Sequence, residues 1–431
     1  MKTLLSLALG SLMFTAAGSL AGTLAPPAGP VAPTPGPEPR KAVNATNTPG
    51  DASDQFKITQ PGSYFLDSNI KIAEGKTWGL AVLAPAVTLD LNGFTIDGNN
   101  VGQNGGIRVD AASVLIRNGT IRNVYLNGLA ATNFLGGSPG MTVENIRVLD
   151  VTGPSSFLSQ TVGIRTGRGA IVRDCYVNNA PAGIVTGFNA NVSGCTVEFA
   201  RKGGIYIEGG ATVSDCVVVG TAGGPAEGYA FYLGDGSSMK NCVARSNSGD
   251  GFFADGKETA LIGCLSSNNA GAGFVFGSDT RMDGCHATRN AGPAVVASSG
   301  GADDWEITRC TLTNNGAGIV LQESNFGLIT RGRIHDCAIR GQGTASSTSV
   351  GIRLSAACRD IVITDNVFSN LNRGVSLDGE ACRVTNNSFN GVLTPISRSD
   401  GSATLVSNFI GPMLTASDAG TATNPFANTS Q

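Results

Sequence analysis

Glu208, Asp235, Asp255, Asp279 and Glu323 are the residues best suited by type and spacing to do chemistry. Each follows within a few residues a short segment of the form Gly or Ala, apolar, variable, apolar, such as Gly204-Ile-Tyr-Ile207 or Gly251-Phe-Phe-Ala254. Carboxylates repeated beside one kind of segment can share a Ca²⁺ ion or form an acid–base pair, provided the fold sets them about 5 Å apart. Asp235 and Asp255 are the candidates for Ca²⁺, and Asp235, Asp255, Asp279 and Glu208 for catalysis. The plainer reading is that Asp-Gly pairs serve the turns themselves. The middle residue of each segment points away from its two apolar neighbours. In chain order these are Arg108, Ala130, Arg165, then Val185, Tyr206, Tyr232, Phe253, Val275, Val296 and Val320, then Arg353 and Ser376. The seven in the middle form an apolar stripe, and such a stripe on a surface marks a ligand or partner groove unless a loop covers it. Tyr206, Tyr232 and Phe253 are adjacent within it and are the candidate ligand-binding residues, because aromatic faces stack on sugar rings.

A repeat must position these residues. Eight of ten cysteines, Cys175, Cys195, Cys216, Cys242, Cys264, Cys285, Cys310 and Cys337, are separated by 20, 21, 26, 22, 21, 25 and 27 residues. Each has an apolar residue three before it and most have another two after, as in Val172-Arg-Asp-Cys175-Tyr-Val177. The same frame is met at Asn92, Gly119 and Ile146 upstream and at Asn366, Asn387 and Asn408 downstream. One local frame returning every 20–30 residues is the signature of a solenoid. With three short strands per repeat the expected fold is all-β, a right-handed single-stranded parallel β-helix of about fourteen rungs rising about 4.8 Å each. The frame residue faces inward, so the cysteines are expected as a buried thiol column. Parallel Cβ vectors aim neighbouring sulfurs poorly for disulfides. Cys358 and Cys382 fall outside the column, each in an Ala-Cys-Arg context, and a Cys358–Cys382 disulfide is expected.

The Asn/Cys-x-apolar rung resembles the repeat of pectate-lyase-like parallel β-helix proteins. The segments Asn44-Ala-Thr-Asn-Thr-Pro-Gly-Asp51, Val87-Thr-Leu-Asp-Leu-Asn-Gly-Phe-Thr-Ile-Asp-Gly98 and Asn424-Pro-Phe-Ala-Asn428 resemble a family of exported bacterial β-helix proteins. That resemblance implies fold and export and carries no activity. The Asn-Thr-Asp and Gly-His-Gly pair of polygalacturonase-like hydrolases is missing, as is the Asp-Pro-His-Glu of alginate epimerases. Asp303-Asp304 resembles the paired aspartates of those hydrolases without their companions. Arg333 and Arg353 are candidate lyase bases that nothing specific selects. His286 and His335 fall in different columns two rungs apart, so no histidine dyad is expected.

Composition bounds the rest. Glycine is abundant, 60 of 431 residues, and charge is sparse at 14%, which suits tight turns between short strands. A net charge of −3 with no Lys/Arg run argues against nucleic acid as a partner. Lys2, an apolar run from Leu4 to Ala17 and Ser19-Leu20-Ala21 read as a secretory signal, residues 1–21, so an extracellular, periplasmic or cell-surface location is expected. Residues 22–54 hold eight of eighteen prolines and read as a linker, 55–412 as the β-helix and 413–431 as a tail. The mature chain is expected not to span a membrane and to be a monomer needing no cofactor beyond, at most, Ca²⁺. Two functions fit: an exported, non-catalytic binder of a polysaccharide or cell-envelope component through the aromatic stripe, or a polysaccharide lyase or glycoside hydrolase working through the acidic turns.

Overall fold

The computed structural model describes residues 40–99, 102–132, 138–154, 161–224, 228–298, 300–322, 327–342, 349–398, 404–406, 408–410 and 429–430. The signal segment, most of the linker, Glu323 and most of the tail lie outside the described residues. Among the described residues there is no helix, and strands pair in parallel with their equivalents one rung before and after.

Three ladders run along the solenoid. The first carries the glycine-led strands, with Ile184, Ile205, Phe231, Phe252, Phe274 and Val295 in register and buried. The second aligns Val172, Val192, Val213, Met239, Leu261 and Met282. The third aligns Val177, Val197, Val218, Ala244, Ser266 and Ala287. Apolar alternation fills the space between them, and the inward rings of Phe231, Phe252 and Phe274 stack at 4.9 and 4.8 Å.

Between the second and third ladders each rung makes the same bend. The residue before each column cysteine adopts a left-handed backbone: Asp174 (φ 54°), Asp215 (54°), Asn241 (55°), Arg309 (52°) and Asp336 (55°), or glycine at Gly194, Gly263 and Gly284. Asp, Asn and Gly tolerate this conformation best. The bend breaks the strict alternation, so Val172, Cys175 and Val177 all point inward, and every column thiol is at most 2% exposed. Each column thiol faces the carbonyl two residues earlier, as Cys216 faces Ser214 at 3.2 Å. The asparagine seats do the same, Asn387 Nδ2 donating to Thr385 O at 2.9 Å. Asn366, Asn387 and Asn408 also bond to one another at 3.0 and 3.1 Å. Cysteine thus fills the asparagine seat and keeps one of its contacts.

Four expectations need correction. The inward seat of the first complete rung is Leu91, which stacks beneath Gly119, whereas Asn92 is exposed on a left-handed turn (φ 54°). The body begins before residue 55: Lys41–Ala42 already pairs with Tyr64–Phe65, and Arg40 reaches Asp90 at 3.1 Å. The tail is not wholly separate, since Thr429–Ser430 pairs with Phe409–Ile410. Cys358 and Cys382 are buried thiols, not a disulfide. The pairs Val362↔Arg383 and Arg359↔Glu380 set Cys382 beside Ile361 and Cys358 beside Gly379, so the two are three positions out of register. Burial pushes the Cys358 thiol up to about 11.

A second asparagine ladder was not anticipated. Asn247, Asn269, Asn290 and Asn315 are linked Nδ2 to Oδ1 at 2.8, 3.0 and 3.0 Å. Each stands five residues after a column cysteine, at the bend leading back to the first ladder.

Candidate ligand-binding face

The outward residues of the first ladder are in register from Arg108 to Ser376. The stripe exists, but it narrows downstream, where Val275 and Val320 are each only 5% exposed and Val296 between them is half-buried. Its open part runs from Val185 through Tyr206, Tyr232 and Phe253.

The aromatic rings do not lie flat on the surface. Tyr206 and Tyr232 stack on each other at 4.4 Å with 9° between their planes, and Tyr232 and Phe253 at 5.8 Å and 14°. Tyr229, from the turn leading into the Tyr232 strand, packs on Phe253 at 4.2 Å. Side chains stacked along a solenoid cover one another's faces. The surface therefore meets ring edges and the phenol groups of Tyr206 and Tyr232, which are close enough to perturb each other's titration. Face-on sugar stacking, expected from the residue types, is not what this arrangement offers.

Carboxylates flank the phenols. Extending the pairs Ile207↔Leu233 and Tyr232↔Phe253 puts Glu208, Gly234 and Asp255 in one column. Glu208 and Asp255 are thus two rungs apart, roughly 10 Å between Cα atoms, not on neighbouring rungs. A Cβ on Gly234 would lie 1.3 Å from Glu208 O, so only glycine fits between them. Asp235 is one residue further on, and its Oδ1 accepts a hydrogen bond from Lys257 N at 2.8 Å, which is turn chemistry. Asp279 lies outside the group, on a left-handed turn (φ 54°) further along its rung. Burial raises the pKa of Glu208. Burial also raises that of Asp250, two residues before the Phe252–Ala254 strand, although its Oδ1 accepts from Ala272 N at 2.6 Å. Tyr229 and Asp250 escape a sequence reading because they precede the glycine-led strand rather than alternate within it. The charges of Glu208, Asp235 and Asp255 all bear on Tyr232.

Other candidates are placed elsewhere. Asp303 and Asp304 are both held by Arg331. His286 is exposed on the third ladder, while His335 sits on the second, with Nε2 3.0 Å from Glu306 and Nδ1 2.8 Å from Asp336. Among the described residues no three His, Cys, Asp or Glu side chains converge as metal ligands.

Such a solenoid, with one outward strand face carrying an open polar and aromatic strip, defines a class of protein. The family described as right handed beta helix region matches residues 82–226, 211–349 and 303–410, and the chain belongs to it. No curated protein matches. Among solved structures the chain is similar to alginate lyase AlyF-OU02, with 10% identity over 81% of this chain and 83% of that one, TM-score 0.51. It is also similar to the A-module of the Azotobacter vinelandii mannuronan C-5 epimerase, at 16% identity over 80% and 89% of the chains, TM-score 0.41. A third is the catalytic unit of an α-1,3-glucanase from Streptomyces thermodiastaticus, at 12% identity over 85% and 68%, TM-score 0.48. These likenesses concern the fold alone.

Proposed function

We propose that this is an exported protein that binds a polysaccharide along the open face from Val185 to Phe253 without cleaving it. One observation carries the reading: the phenol groups of Tyr206 and Tyr232 form a register-held edge beside Glu208, Asp235 and Asp255. The edge supplies donors and acceptors at a rise of about 4.8 Å, close to the advance of one sugar unit in an extended chain. Sugar hydroxyls are the ligand groups that match it. The alginate lyase that shares the fold acts on a polysaccharide, which agrees with this reading.

The test separates edge recognition from face stacking. Tyr206→Phe with Tyr232→Phe keeps the stacked rings and removes both hydroxyls. At about 0.5–1.5 kcal/mol per hydrogen bond, glycan affinity falls roughly 5- to 150-fold, read by calorimetry against a polysaccharide panel. Unchanged affinity in the double variant sinks the edge reading.

A second reading is favoured by the Glu208–Asp255 pair. A carboxyl with a raised pKa two rungs from a second carboxylate, roughly 10 Å between Cα atoms, suits a general acid and a water-activating base, the arrangement of an inverting glycoside hydrolase. Reducing ends released by the wild type and abolished in both Glu208→Gln and Asp255→Asn would replace the binding reading with this one.

A further inference from the structure

The chain has six tyrosines, all among the described residues, and one pair of them lies face to face. The rings of Tyr206 and Tyr232 are 4.4 Å apart with 9° between their planes. Their strands hold them there, because Ile205↔Phe231 and Ile207↔Leu233 pin the backbone on either side. Two rings leaving neighbouring parallel strands in the same direction, about 4.8 Å apart, settle as a stack. Tyr229 is 6.3 Å from Tyr232 and tilted by 43°, with its ring taken up by Phe253. Tyr64, Tyr125 and Tyr176 have no tyrosine ring beside them.

The stacked pair is also where solvent meets easily oxidised groups. Both rings are half-buried on the open face, whereas all ten cysteines are buried. Negative charge at Glu208 acts on both phenols, and that of Asp235 and Asp255 on Tyr232. Anionic neighbours ease the loss of an electron from a ring and can take up the proton that leaves with it.

We propose that Tyr206 and Tyr232 form an oxidative coupling site, where a haem peroxidase using hydrogen peroxide joins the two rings by a carbon–carbon bond. Each phenol gives up one electron and its hydroxyl proton and becomes a phenoxyl radical. The unpaired electron is shared with the ring carbons next to the oxygen-bearing carbon. One such carbon from each ring contributes its unpaired electron to the new bond. That bond starts perpendicular to both ring planes, the direction in which stacked rings face each other. Each bonded carbon then releases its hydrogen as a proton, and each oxygen regains one. Two phenols and one hydrogen peroxide give one biphenol and two waters. The bond joins residues 26 apart in the chain and ties two rungs that the buried thiol column leaves unlinked. A cross-link restricts the unfolded chain more than the folded one, so the coupled form resists denaturant better. It also remakes the phenol edge, so the coupled form loses the glycan binding proposed above; this last consequence alone rests on that reading.

The full chain is treated with a haem peroxidase and hydrogen peroxide at low protein concentration. Biphenol fluorescence gives the yield, and mass spectrometry of a digest gives the linked pair. The expected product has the mass of a monomer, one link between Tyr206 and Tyr232, and a raised denaturation midpoint. Tyr206→Phe keeps the stack and lowers the yield at least tenfold, while Tyr229→Phe leaves it unchanged. The peptide map of the unaltered chain decides by itself if Tyr206→Phe fails to fold. A link made chiefly through Tyr229, a product of dimer mass, or a native yield no higher than in denaturant overturns the site. Glycan affinity is measured before and after treatment. Coupling that leaves affinity intact sinks the edge reading and keeps the cross-link, whereas glycan binding without any coupling overturns the cross-link alone.

Discussion

A single inward seat, filled in turn by leucine, glycine, isoleucine, cysteine and asparagine, shows what one position asks of a side chain. It must be small enough or flexible enough to fit the bend and, if polar, must reach the carbonyl two residues earlier. Cys337 meets this with a 3.2 Å contact to His335 O, and its own backbone N–H is capped by Asn366 Oδ1 at 2.9 Å. Cys337→Asn therefore extends the asparagine ladder by one rung and is neutral or stabilising by about 1 kcal/mol in chemical denaturation. Cys337→Leu overfills the same seat and costs about 1–3 kcal/mol. Thiol titration makes a second expectation: all ten cysteines react in denaturant and none in the native state, since all are buried and none is in a disulfide. The seat was legible from spacing wherever the rung had its standard length. It was misread at Asn92 because that bend carries extra residues, and the asparagine there serves the turn instead.

Elements here are ladders rather than strands, and hydrogen bonds between side chains of successive rungs tie them together. Asn269 donates to Asn290 and accepts from both the side chain and the backbone N–H of Asn247. Asn269→Ala leaves those buried donors without acceptors and removes about 2–4 kcal/mol of local stability. Hydrogen exchange should rise at residues 244–250 and 266–274 before it rises at the ends of the ladder. This column was readable in principle, five residues after each of four cysteines, but asparagine near a turn is so common that its residue type gave no warning of burial. A second ladder contact titrates. Burial lowers the His335 pKa, but hydrogen bonds to Asp336 and Glu306 outweigh it and leave it raised. Because the folded value lies above the unfolded one, the stabilisation is complete below the ordinary imidazole range and is lost as pH rises through the folded value. His335 is half-buried, but its partners Glu306 and Asp336 are more exposed, so solvent screening keeps the effect under about 1 kcal/mol. The melting temperature of the wild type should fall relative to His335→Gln as pH rises from about 6 to 8.

At the scale of the whole molecule, stability is close to a sum of rungs and their nearest-neighbour contacts. Deleting Tyr176–Cys195 removes one 20-residue rung and joins Cys175 to Thr196, which occupy the register positions the deletion requires. The shortened chain should fold with an unchanged β-sheet circular dichroism signature. It also removes Val185 and brings Arg165 next to Tyr206, so a glycan lying along the open face should bind at least tenfold more weakly than to the full chain. Period and apolar alternation made the architecture legible because every rung repeats the same packing problem. The face was legible only in outline. Alternation gave which residues point outward, but not that stacked rings hide their own faces, that two valines are covered, or that a glycine separates Glu208 from Asp255. Those depend on neighbours one rung away, some 20 residues off in sequence.

The thiol column has a consequence for how the chain reaches its native state. A cysteine at the growing end of a solenoid is shielded only when the next rung is laid over it. The chain is free of cysteine up to residue 174. If assembly spreads from that end, one seat at a time stands open, and the interval before it closes is the only chance for an oxidant to reach it. Assembly from the middle opens two fronts. In any oxidising medium the yield of native protein is then set by a race between rung addition and sulfur chemistry, and the thiol-free rungs give addition a head start.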